Sequence, residues 1–220
     1  MVTCTPGLRS LSSSGAKSGR QARGLSLVIV MLILIVVSLL GVAGVRIAMM
    51  AERGTRNDRN QLIAWQAAEA ALVDAEMDIV GQPANSTNKR NDVFKQGAID
   101  FSKFLSGCGS SDKSTGLCNL NATGKAAWLA VDFEKTGPDA KTVEFGKFTG
   151  RTFPAGEKGI QPKKPPRYVI EVVPDKHGSN SYRTTAPNSG TGPSYVYRVT
   201  TMGFGPSGDT QVVLQMIYRN

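Results

Sequence analysis

The stretch Leu25–Val45, LSLVIVMLILIVVSLLGVAGV, holds 21 residues without one charged side chain. As an α-helix it extends about 32 Å at roughly 1.5 Å per residue, enough to cross a hydrocarbon layer about 30 Å thick. A single membrane-spanning helix is therefore the expectation. A cleavable secretory signal competes, because Val42, Ala43 and Gly44 offer small residues before a cut, yet its apolar core usually runs only about 7 to 15 residues.

Charge is distributed around that segment. The chain has 220 residues, 26 Lys+Arg against 17 Asp+Glu, and a formal charge of +9. Its length allows one ordinary domain with an appendage, and 40% hydrophobic content excludes wholesale disorder. A charge of +9 would point to nucleic acid only if it were concentrated in a folded domain. It is not. Arg9, Lys17, Arg20 and Arg23 precede the apolar run with no acid among them, and Arg46, Arg53, Arg56 and Arg59 follow it closely against Glu52 and Asp58. Residues 60–220 hold 18 basic and 15 acidic side chains. Within that balanced part only Gln161-Pro-Lys-Lys-Pro-Pro-Arg167 is locally basic, and it reads as a polyproline-like surface loop.

Four basic residues on each side of the span leave the positive-inside count tied. Cysteine usage breaks the tie. Cys108 and Cys118 lie in GCGSSDKSTGLC, whose Gly/Ser content lets the two sulfurs meet. A disulfide there contributes on the order of 3 kcal/mol and persists only in an oxidising compartment, which favours a periplasmic or extracellular head and a cytoplasmic N-terminus. A metal site is the rival, but two cysteines and a distant His177 do not supply four ligands. Cys4 has no obvious partner.

The junction before the span is the most specific motif. A basic, Ser/Gly-rich leader, residues 1–24, ends in Arg23-Gly24, and Leu25-Ser26-Leu27-Val28 opens the apolar run at once. This resembles a type IV prepilin leader. The resemblance implies a prepilin peptidase at the inner membrane that cuts after Gly24 and methylates the new amine of Leu25. Glycine suits such a cut because it has no Cβ to keep the protease from the backbone; the competing reading is a helix breaker before a membrane helix.

Beyond Arg46 the helical pattern continues. Leu62, Trp65, Ala68, Leu72, Ala75 and Ile79 recur at spacings of three and four, and Gly81 and Pro83 stop the run. One helix of about 84 Å is expected over residues 25–80, with a transmembrane half at 25–46 and an amphipathic half at 47–80. Gly41, Gly44 and Gly54 could permit close packing or local unwinding. Residues 81–220 form the head. Phe94, Ala98, Phe101 and Leu105 predict a short helix, and strands are predicted at Tyr168–Val173, Tyr195–Val199 and Val212–Tyr218, with a hairpin-like link over Gly203–Asp209. The sum is an α+β fold in which a long helix packs on a C-terminal antiparallel sheet.

The span, the run Trp65-Gln-Ala-Ala-Glu-Ala-Ala-Leu72 and the closing segment Tyr197–Leu214 are similar to the PilX type of minor pilin in type IV pili. That resemblance implies a low-abundance subunit in pilus initiation or at the tip, with the major pilin and other minor pilins as partners, supporting motility or adhesion. One position departs from the family pattern. Most pilins carry Glu at the fifth mature residue, where this chain has Ile29, which points to a tip position; greater membrane retention is the competing reading. Glu69 interrupts an Ala-rich face and is a candidate inter-subunit helix contact.

No GxSxG, phosphate loop or His/Cys/Asp/Glu cluster is present in the sequence, and His177 in Pro-Asp-Lys-His-Gly-Ser reads as a turn residue. The expectation is a non-catalytic protein with no cofactor, no metal and no small-molecule substrate, and with nucleic acid disfavoured as a partner. A membrane-anchored periplasmic binding domain, for DNA or a surface, is the alternative.

Overall fold

The computed structural model describes residues 23–95, 97–121, 125–156, 158–175 and 195–219. The leader through residue 22, with Cys4, and the loop carrying His177 lie outside the described residues. Regular structure begins with helix α1, Arg23–Val80. The chain divides after Glu52 into two units. In the first, every large apolar side chain from Leu27 to Met50 is at least 45% exposed. A helix that is apolar on all sides and has no protein cover requires lipid or other apolar helices as its solvent.

In the second unit the sheet comprises β1 (Leu117–Asn119), β2 (Val143–Glu144), β3 (Arg167–Pro174), β4 (Tyr195–Phe204) and β5 (Gln211–Tyr218). The order is β1-β3-β4-β5, with β2 also pairing β3. β3 and β4 run antiparallel from Arg167↔Met202 to Pro174↔Tyr195, and β4 and β5 from Phe204↔Gln211 to Tyr197↔Tyr218. β4 takes one edge of β3 along its whole length, so β1 and β2 share the other. The α+β architecture and the three antiparallel strands match the sequence expectation, but the sheet is mixed, because β1 runs parallel to β3. Strands of two and three residues are too short to display a period of two.

Tyr168, Ile170 and Val172 of β3 and Tyr197 and Val199 of β4 share a core with Ala71, Ala75 and Ile79 of α1. On the sheet's other face Val169 and Phe204 pack with Cys108, Cys118, Ala127 and Phe133. The buried row of α1 is Ala64, Ala67, Ala68, Ala71, Ala75 and Ile79. The expected stripe is thereby corrected: Leu62 and Trp65 are 56% and 45% exposed. The cause is backbone proximity. Thr201 Oγ1 donates to the carbonyl of Ala68 at 3.0 Å, and a Cβ on Gly203 would collide with the Ala64 carbonyl and with Ala68. Only small residues fit between helix and β4, so Trp65 is turned outward.

α1 ends where expected. Gly81 adopts φ 83°, and the N–H groups of Gly81 and Gln82 both donate to Met77 O at 2.8 Å. This left-handed cap satisfies a terminal carbonyl and is open to glycine at little cost. The short helix predicted over 94–105 is absent. Two 3-10 turns, Asn91–Phe94 and Phe101–Lys103, stand there instead. Phe94 and Phe104 are buried while Phe101 and Leu105 are largely exposed, which no single helix face could produce. The basic proline segment is also less solvated than expected: Pro162 and Pro166 are buried, and Arg167 is buried as the first residue of β3.

Candidate functional site

The buried face of α1 carries two carboxylates, Asp74 and Asp78, one turn apart among Ala71, Ala75 and Ile79. Both organise the head. Asp78 receives Arg90 Nε at 3.0 Å on each oxygen and Nη2 at 2.6 Å, and Tyr168 Oη donates to it at 2.9 Å. Arg90, fully buried, lies 3.8 Å from the Phe148 ring centroid. Its Nη1 donates to the carbonyls of Lys113 at 3.0 Å and Thr115 at 2.5 Å. Burial, and then the charge of Asp78, push the Tyr168 hydroxyl well above its ordinary pKa of 10.0. Asp74 accepts the Gly146 N–H at 2.8 Å and the Thr149 hydroxyl at 2.6 Å. Burial raises its pKa above the usual carboxylate value despite these bonds and nearby Arg151. All these donors are spent on holding loops to the helix.

The loop reached by Arg90 is closed by a disulfide between Cys108 and Cys118, with both sulfur-bearing residues buried. Within it Asp112 and Cys108 adopt positive φ, and the Gly116 N–H donates to Gly109 O at 2.9 Å. Lys113 bridges outward to Asp92 at 2.8 Å, and this hydrogen bond holds the Asp92 carboxyl below its ordinary range. Cys118 belongs to β1, so the loop is fixed to the sheet through β3 and to the helix through Arg90.

The residues expected to act in assembly lie on α1. Gly24 and Leu25 are within its first turns. Ile29 is 50% exposed in the apolar half. Gly41, Gly44 and Gly54 sit in unbroken helix, and a Cβ on any of them would meet nothing within 4 Å. Glu69 is exposed, as are Trp65 and Val73 nearby. These residues share one helix but do not converge on a pocket. A hollow of about 380 Å³ elsewhere in the head is lined by Thr142, Glu144, Phe145, Lys147 and Arg167 among others. Arg167 there is already bound to Glu144 Oε2 at 2.8 Å and to Thr142. Among the described residues no three His, Cys, Asp or Glu side chains are grouped to hold a metal ion.

The sequence reading missed Asp74, Asp78 and Arg90. The i, i+4 spacing of the two acids beside alanines was the available signal, since it puts both on the row that is buried. Arg90 gave none, because its partner is fixed by the path of the chain after Gly81.

Comparison with known families gives two matches. The family model described as "Type IV pilus assembly protein PilX C-term" matches residues 114–220, and that described as "PilX N-terminal" matches residues 23–73. No curated protein and no solved structure matches. The long apolar N-terminal helix fits the single-pass membrane anchor of a pilin.

Proposed function

Because this chain belongs to the PilX family and so takes part in type IV pilus assembly, we propose that it does so as a non-catalytic minor pilin in the initiation or tip complex. The observation that carries this reading is the pairing of the two family matches with an apolar helix that has no cover of its own. Such a helix is held in the inner membrane before assembly and is transferred to contact with other subunits' helices afterwards. The head faces the periplasm and then the cell surface, where an oxidising environment keeps Cys108 and Cys118 joined. Prepilin peptidase cuts between Gly24 and Leu25 and methylates Leu25. Partners are the major pilin and other minor pilins, and Glu69, exposed on α1, supplies a contact from that helix to another subunit. The outcome for the cell is pilus-dependent motility or adhesion.

Ile29 supports the tip position. A carboxylate at that position would neutralise the N-terminal amine of a neighbouring subunit, and an uncompensated charge among apolar helices costs several kcal/mol. A subunit that carries Ile29 is best tolerated where that partnership is not required.

The test is the intact mass and N-terminal sequence of the membrane-extracted chain. A start at N-methylated Leu25 is expected. A start at Val45, or retention of residues 1–24, would overturn the pilin reading in favour of a conventionally exported or anchored domain.

A further inference from the structure

β5 is the last strand in the sheet order, so one edge of it has no partner strand among the described residues. Its sequence, QVVLQMIY, has no charge, proline or glycine over eight residues. Natural edge strands are usually blunted by charged side chains, proline or a bulge, and an unblunted one is a template for strand addition. The pairing with β4 runs without interruption from Gln211 to Tyr218, so no bulge bends this edge away. Val213 and Ile217 point to the sheet face away from α1 and are 38% and 62% exposed.

The neighbouring flank of α1 is built to meet an added strand. Trp65, Glu69, Leu72 and Glu76 recur at helical spacings that put them on one side of the helix. Leu72, Met216 and Tyr218 are partly buried, and each packs against the same core. Thr201, bonded to the Ala68 carbonyl, is paired with Leu214 of β5, which sets that strand beside this part of α1. Burial and then the charge of Glu76 raise the Tyr218 hydroxyl pKa, as expected of a carboxylate close to the strand's end. Glu69 and Glu76 are exposed and have no ion-pair partner among the described residues.

We infer that the open edge of β5 takes an extended segment of another pilus component as a further antiparallel or parallel strand, with apolar side chains at alternate positions and Lys or Arg directed at Glu69 and Glu76. This rests on the assembly role proposed above. Unpaired N–H and C=O groups of β5 supply the main-chain bonds, Trp65 and Leu72 receive the inward apolar side chains, and the two carboxylates select a basic partner. A second copy of β5 is a poor occupant. It brings no basic side chain to Glu69 and Glu76, and the flanking Arg219 is already paired with Asp175 at 2.8 Å.

The experiment places the photo-crosslinking residue p-benzoylphenylalanine at Val213 of the full-length chain, with Ile160 as a control position, in piliated cells. Cross-linked peptides from sheared pili are then sequenced by mass spectrometry. The expected product joins Val213 to a peptide of a different pilus subunit with alternating apolar residues and Lys or Arg, and its yield falls at least about tenfold in the E69K/E76K variant, the ratio that 1.4 kcal/mol produces. A limited-proteolysis pattern of the head like that of the wild type checks that this variant is folded, and E69Q/E76Q should give a smaller loss. A cross-link to a second copy, to a helical segment, or with the same yield in E69K/E76K overturns the inference. Incorporation into pili without any Val213 product overturns it while leaving the pilus role intact; absence from pili overturns both.

Discussion

Arg90 is a fully buried cation whose partners are Asp78, two carbonyls and the Phe148 face. A buried pair of this kind contributes little net stability relative to apolar replacements, but removal of one member strands the other at a cost of about 3 to 5 kcal/mol. Its value is positional, since it ties the loop between the cysteines to α1. Tyr168, which donates to the same carboxylate, makes the site sensitive to alkali. A phenol whose folded pKa lies above its unfolded value of 10.0 stabilises the fold below that value, and the contribution is lost as pH rises towards the folded pKa. Tyr197, pushed up to about 12 by burial, adds in the same direction. Urea titrations should therefore show stability falling from about pH 9 to 11, with a flatter alkaline limb in Tyr168→Phe. At neutral pH that variant should lose about 1 kcal/mol, the worth of one hydrogen bond. An unchanged alkaline slope would show that Tyr168 does not govern it.

At the scale of elements α1 and β4 approach each other closely in the head. Gly203 faces the Ala64 carbonyl and Ala68, and the atoms a Cβ would meet are mostly backbone. Gly203→Ala must push helix and strand apart, and overpacking of this kind costs about 1 to 3 kcal/mol. The expected readout is a lower urea midpoint with an unchanged slope; a midpoint equal to wild type would mean that the helix slides on the sheet without loss. The same approach accounts for the composition of the helix. Alanine fills the buried row at Ala64 and Ala68 because nothing larger fits opposite Gly203, and the large residues of the segment, Leu62 and Trp65, are left outside. Reading hydrophobic size as burial placed the stripe about a fifth of a turn from its true position, with Ala68, Ala75 and Ile79 common to both.

For the whole molecule the governing question is how the proposed minor pilin would pass from a membrane to a filament. Its apolar helix half is exposed throughout, and its head carries its own core and disulfide. Ile29→Glu restores the acid typical of the family. If Ile29 reflects a tip position, the variant should enter sheared pili in altered amount or lose its terminal location by immunogold labelling. Unchanged incorporation and location would remove the positional meaning of Ile29 and leave membrane retention as its explanation.

How much of this was legible in the sequence varies with the range of the interactions. The membrane-length helix, its extension to Val80, the Gly81 stop and the three C-terminal strands are written in local patterns: an uncharged run, a 3.6-residue period, a left-handed cap, alternation. The Arg23-Gly24 junction that resembles a prepilin leader is equally local, and that resemblance rests on no tertiary information. The buried pair of Asp78 and Arg90, the parallel β1, the turns at 91–103 and the outward Trp65 were not legible in the same way. Each depends on which distant backbone arrives against α1 and how closely, as Thr201 and Gly203 do at Ala68. Periodicity determines that a helix has faces. Only the packed sheet decides which face is buried, because burial is a property of the partner's shape as much as of the side chain's chemistry.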